Sequence, residues 1–169
     1  LLWTNNAQNT PQSDIINQVL PDMPSAPAGS IPQMNDWNFR DSAVKKGCST
    51  TDYVNGQYIV KDLVTTYVTA GEYPPFYRYP RDLNIYFNYK FGYALLESIN
   101  LVGKTLVPDS AVVSVTNVIK PKIWKSLVAS YNLDCEKKAL IVNAKANNKS
   151  IVVTINASNP NRMDTTENI

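Results

Sequence analysis

Glu72–Phe91, EYPPFYRYPRDLNIYFNYKF, is the densest aromatic stretch of the chain, and its reading decides the fold. In its second half Ile85, Phe87, Tyr89 and Phe91 alternate with Asn84, Tyr86, Asn88 and Lys90. A period of two over eight residues of this composition predicts a half-buried strand. Its first half cannot join that strand, because Pro74, Pro75 and Pro80 lack backbone donors and bias the preceding residues toward extended conformations. The expectation is a stiff aromatic bracket leading into a core strand.

Working outward, the C-terminal side predicts a short helix over Tyr93–Gly103 with Leu95, Leu96, Ile99 and Val102 inward. A strand is expected over Ala111–Ile119. Pro121 suits a first helical turn, and Ile123, Trp124, Leu127, Val128 and Tyr131 form an apolar stripe after it. Ala139–Ala146 and Lys149–Ala157 read as a hairpin turning at Asn147-Asn148, with Ala144 opposite Ile151, Val142 opposite Val153 and Leu140 opposite Ile155.

On the N-terminal side, Asn55-Gly56 is a turn signal, as is Lys45-Lys46-Gly47-Cys48. Val60, Leu63, Val64, Tyr67 and Val68 follow the spacing of one helical face, although the β-branched run Val64–Thr69 argues for strand; helix is the favoured reading. Trp37 and Phe39 read as the strand or turn that begins the folded body. Before it, residues 1–33 are rich in Asn, Gln, Ser and Pro, with one amphipathic fragment, Ser13–Leu20, expected to make two helical turns before Pro21.

The organisation expected is an extended arm or tether over 1–33, a single globular domain over 34–158 and a C-terminal tail over 159–169. Its fold class is α+β and β-rich: an antiparallel sheet with a C-terminal hairpin and two or three short helices, preceded by the arm. At 169 residues one domain is the usual prior.

The apolar fraction of 44% and charged fraction of 18% belong to a globular chain, not a disordered one. No apolar run could cross a bilayer. Leu1-Leu2-Trp3 suits an interfacial end, so a preceding membrane anchor is one expected form of the N-terminus and a processed start the other. The net charge is +2, and no Lys or Arg precedes Arg40. A basic arm for nucleic acid is therefore absent, and the scattered lysines beyond it read as a solvated surface.

Histidine is missing and Cys48 and Cys135 are the only cysteines. That set cannot build a structural zinc site, so no metal is expected. The pair is read as a disulfide, worth about 4 to 5 kcal/mol in the chain-entropy picture, with two unrelated buried thiols as the alternative. Asn148-Lys149-Ser150 and Asn156-Ala157-Ser158 are candidate glycosylation triplets, and with the cysteines they suit an extracytoplasmic setting: cell surface, periplasm, secreted or virion.

Without histidine there is no Ser-His or Cys-His pair, and the isolated glycines form no phosphate loop. Glu72, Asp82, Glu97 and Asp109 are the carboxylates a glycosidase would draw on. Asp82, Glu97 and Asp109 have duller explanations: Asp82 stands beside Arg81, Glu97 on a helix exterior and Asp109 in a Pro-Asp turn. No catalytic residue and no cofactor is expected.

The function these features suggest is a non-enzymatic structural or assembly subunit of an extracytoplasmic complex, a surface filament or a virion shell. It would meet other copies of itself or other subunits through Ile15, Ile16, Val19 and Leu20 of the arm and through Tyr73, Pro74, Pro75, Tyr77, Arg78 and Tyr79, whose rigid rings and cation resemble interface composition. The alternatives are an exported domain of a membrane-anchored envelope or secretion component, and a carbohydrate- or peptide-binding module.

Overall fold

The turn at Asn55-Gly56 forms as its sequence requires. Both residues take the left-handed conformation, φ 52° and 79°, which a two-residue hairpin turn needs and these two residue types accept. It joins β2 (Thr50–Val54) to β3 (Gln57–Asp62) in a computed structural model of the chain that describes residues 13–68 and 77–167. Tyr53 lies opposite Tyr58, their rings meeting edge to face at 5.0 Å. The run favoured as helix from spacing divides: Gln57–Asp62 is strand, drawn into the hairpin by the preformed turn, and the segment 63–68, which holds the described part of the β-branched run, is neither helix nor strand.

The chain divides into two compact units, Leu1–Tyr86 and Phe87–Ile169. In the first, β1 (Val19–Leu20) pairs antiparallel with β3, giving the strand order β1-β3-β2. Ser13–Leu20 is thus not the expected pair of helical turns. Asn17 turns left-handed at φ 66° and donates to the Val60 carbonyl at 2.7 Å, so the segment supplies hydrogen bonds to a strand edge that would otherwise lack them.

Two helices follow, α1 (Ile31–Asn35) and α2 (Trp37–Lys45). Trp37 and Phe39 lie on α2 rather than on a strand, because Asp36 caps it by accepting the Asn38 backbone N–H at 3.1 Å. Asn35 brackets the Tyr53 backbone, accepting its N–H at 2.9 Å and donating to its carbonyl at 3.1 Å. Arg40 and Lys61 both pair with Asp52 on β2.

Helix α3 (Pro80–Asn100) contains the boundary between the units and corrects the central expectation. The stretch read as a strand is a helix of 21 residues. Its apparent alternation is two helical stripes seen together: Phe87 and Phe91 on one face, Tyr89 and Tyr93 on another. Eight residues cannot separate the two periods, whereas the continuation through Leu95, Leu96 and Ile99 fits only 3.6. Pro80 and Asp82 in the first turn suit a helix start.

In the second unit β4 (Thr105–Leu106) and β5 (Val118–Ile119) pair in parallel, and α4 (Pro121–Lys137) follows. The strand expected over Ala111–Ile119 is reduced to its last two residues; Lys120 Nζ instead ties back the loop at the Ala111 carbonyl, 2.6 Å away. On α4 the predicted stripe holds for Trp124 and Val128, both buried, and for half-buried Leu127 and Tyr131. Ile123 is exposed. Trp124, Val128, Ile119 and Ile151 form one core cluster, and Tyr89, Cys135, Ile141 and Ala144 a second.

The C-terminal hairpin exists with different strands. Ala144–Ser150, which spans the expected turn at Asn147-Asn148 and the adjoining ends of both arms, is helix α5, and Glu136 accepts the Ala144 N–H at 3.0 Å at its start. Strand β6 (Val152–Ile155) pairs instead with β7 (Met163–Thr166), so part of the segment expected as a solvated tail is a strand. The predicted partner was unavailable for a physical reason. Ala139 and Leu140 close α4, with the Leu140 N–H on the Cys135 carbonyl and the Ala139 N–H on the Glu136 carbonyl, both at 2.9 Å. Helix is 40% and strand 17%, in five helices and small, mostly antiparallel sheets among the described residues; the chain is mixed α/β and not β-rich.

Candidate assembly surfaces

In the first unit the residues selected from sequence separate by role. Ile15 is buried and belongs to that unit's own core, Leu20 is half-buried, and Ile16 and Val19 are exposed. Tyr77 and Tyr79 are exposed. Arg78 is not a presented cation: its guanidinium donates to the Val44 carbonyl and, at 3.4 Å, to that of Tyr67. Tyr73, Pro74 and Pro75, with Glu72, lie outside the described residues. Ile16 and Tyr79 come together in one depression of about 300 Å³, with Val44, Leu63 and Val64 as its apolar side and Asp14, Asp62 and Arg81 as its charged side.

The second unit carries a surface not selected from sequence. Phe91, Leu95, Ile99 and Val102 are 75%, 52%, 65% and 73% exposed, and exposed Phe87 precedes them. The i, i+4 spacing of Phe91, Leu95 and Ile99 puts them along one side of α3, with Val102 just past its end. The expectation that Leu95, Ile99 and Val102 face inward is overturned; of that set only Leu96 is half-buried. Composition located the helix without fixing which of its two apolar stripes would be covered. Tyr89 and Tyr93 won, because a buried tyrosine needs a polar partner for its hydroxyl and α4 and β7 bring such groups.

Those partners form a connected network. The Tyr89 hydroxyl lies 2.9 Å from both Asn132 Oδ1 and Glu167 Oε1. Fully buried Asn132 donates from Nδ2 to Asn148 Oδ1 at 3.0 Å and to Glu167 Oε2 at 3.2 Å. Trp124 Nε1 donates to Thr165 Oγ1 at 3.0 Å. Burial, reinforced by Glu167, pushes the Tyr89 hydroxyl far above its ordinary value, and burial raises Tyr131 as well. Tyr93 is pushed up to about 12 by burial, against an opposing hydrogen bond to Thr165. The Cys135 thiol is also raised by burial. At neutral pH these groups keep their protons, and the Tyr89 and Tyr131 hydroxyls serve as hydrogen-bond donors. An open groove of about 760 Å³ runs past Tyr89, Tyr93, Glu97, Arg162 and Glu167.

Cys48 is an exposed free thiol in the first unit and Cys135 a buried one in the second. The sequon asparagines are engaged within the fold. Asn148 Nδ2 donates to the Ala129 carbonyl at 2.9 Å, and Asn156 Nδ2 to Asp164 Oδ2 at 2.7 Å. Asp82 pairs with Arg81, Glu97 is exposed on α3 and Asp109 accepts the Lys122 N–H at the start of α4. Among the described residues no group of three or more His, Cys, Asp or Glu could hold a metal ion, and no helix is long and apolar enough to cross a membrane.

No protein-family model matches the chain, and no curated protein shows significant similarity to it.

Proposed function

We propose that the chain is a non-enzymatic structural subunit that assembles with other copies of itself or with other subunits. The observation that carries this reading is the exposed stripe Phe91, Leu95, Ile99 and Val102. Isolated exposed apolar residues are ordinary, but a contiguous row of large ones marks a surface that another molecule covers. The depression shared by Ile16 and Tyr79 supplies a second, smaller contact of the same character. A surface filament or a virion shell outside the cytoplasm is the form proposed, although the sequons add no support to that location now that both amides are bonded internally.

Sedimentation velocity across a wide concentration range, with electron microscopy of the associated material, tests the reading. Concentration-dependent association into a regular particle or fibre is expected. A chain that stays monomeric at high concentration, whatever its partners in the preparation, overturns it.

A further inference from the structure

Strand β7 has one edge paired and one edge open. The Asn156 N–H on the Arg162 carbonyl at 2.9 Å fixes which groups face which way. Antiparallel pairs alternate between those that exchange hydrogen bonds and those that do not. Asp164 and Thr166 therefore bond to Thr154 and Val152 on β6, while Met163 and Thr165 aim their N–H and carbonyl groups away from it. The sheet ends at β7, and among the described residues nothing bonds to those outward groups. On β2 of the first unit the outward groups of Tyr53 are covered by the Asn35 side chain. β7 has no such cover.

Its open edge faces the groove of about 760 Å³, whose walls are residues 162–167 and Tyr89, Lys90, Tyr93 and Glu97 of α3, with no residue of β6. Strand and helix run antiparallel along it: Glu167 meets Tyr89, Thr165 meets Tyr93, and Glu97 stands toward the Arg162 end. Most of the groove's acidic charge is engaged within the fold, since Arg162 pairs with Asp164 at 2.6 Å and Glu167 is held by Tyr89 and Asn132. Glu97 is exposed and has no ion-pair partner among the described residues.

From this we infer that the groove takes an extended peptide segment of a neighbouring subunit, added to β7 as a third strand through the Met163 and Thr165 backbone, with a lysine or arginine of that segment beside Glu97. Donors and acceptors repeating at every second residue of a strand are matched by another extended main chain. A second copy's β7 is not that chain. Two-fold pairing would set Met163 against Thr165 of the other copy and oppose the two Asp164 side chains at the axis, where like charges repel. Strand addition rests on the assembly reading above for the source of the segment, and on the edge geometry for its chemistry.

Residue-resolved amide exchange in the full chain tests it, at a concentration where sedimentation shows monomer. The probe is a synthetic heptapeptide of alternating threonine and valine with a lysine at its centre. Without peptide, the Met163 and Thr165 amides should exchange fast and those of Asp164 and Thr166 slowly. With peptide at ten times its Kd, exchange at Met163 and Thr165 should slow roughly tenfold. The same peptide N-methylated at its three central residues should protect neither amide. A glutamate in place of the central lysine should weaken binding about twofold to fivefold, a preference that Glu97→Gln abolishes; Glu97 is exposed, so this variant keeps the parental fold. Slow exchange at Met163 and Thr165 in the free chain, no slowing with peptide, or equal protection by the N-methylated peptide sinks strand addition, and a chain that still associates in sedimentation then keeps the assembly reading. Protection of the two amides in a chain that never associates supports the groove as a peptide site and removes only that reading.

Discussion

Tyr131 and Gly92 work as one device. The Tyr131 hydroxyl donates to the Tyr89 backbone carbonyl at 2.6 Å, inside α3, and it reaches that carbonyl through the space left by the missing side chain of Gly92. A Cβ built on Gly92 would sit 2.4 Å from the Tyr131 oxygen. In a helix interior Gly→Ala ordinarily gains up to about 1 kcal/mol. Here the sign should reverse, with Gly92→Ala costing about 1 to 3 kcal/mol in urea unfolding through displacement of a packed ring. Tyr131→Phe removes the clashing oxygen, so adding it to Gly92→Ala should recover part of that loss; strict additivity of the two changes would show that they do not touch. The glycine was visible in the sequence, but its partner lies 39 positions away on another helix, and no local pattern announces such a pair.

Among the elements, the end of α4 departs most from local preference. Ala139 takes φ 55°, where an L-residue with a Cβ is strained and glycine is not. The hydrogen bonds of the Ala139 and Leu140 amides to the last turn hold it there. Ala139→Gly should therefore stabilise the second unit by about 1 kcal/mol, read as a raised melting temperature; an unchanged or lowered one would mean that the left-handed turn is not what ends this helix. The same turn explains the failed expectation of a hairpin at Asn147-Asn148. Sequence pairing assumed that Leu140 was available to a strand, whereas the helix closure had already engaged it. Asn55-Gly56 met no such competitor, and its hairpin appeared where the residues placed it.

At the scale of the whole molecule, titration of the buried tyrosines links pH to the integrity of the second unit. Tyr93 is pushed from an ordinary value of 10.0 up to about 12, and Tyr89 and Tyr131 are raised further. Folding thus favours the protonated phenols, so their contribution is fully present below pH 10 and is lost as pH rises through 12. Alkaline titration followed at the tyrosinate band should show Tyr89, Tyr93 and Tyr131 ionising late, together with loss of helical circular dichroism. Early ionisation of these three, with the helix signal intact, would contradict the buried network.

The sequence by itself determined the features that depend on neighbours along the chain. These are the Asn55-Gly56 turn, the Pro121 start of α4 with Trp124 and Val128 inward, and the helical nature of Tyr93–Asn100. Each follows from backbone preference or from a periodicity long enough to be unambiguous. Tertiary structure alone decided which stripe of α3 is covered, which strand β6 pairs with and where the arm residues lie. Those outcomes turn on polar partners distant in sequence: Asn132, Thr165 and Glu167 for the tyrosine face, and the open edge of β3 for Val19 and Leu20. An apolar stripe states only that burial is favourable. The hydrogen-bonding groups brought from elsewhere in the chain determine which stripe the fold covers.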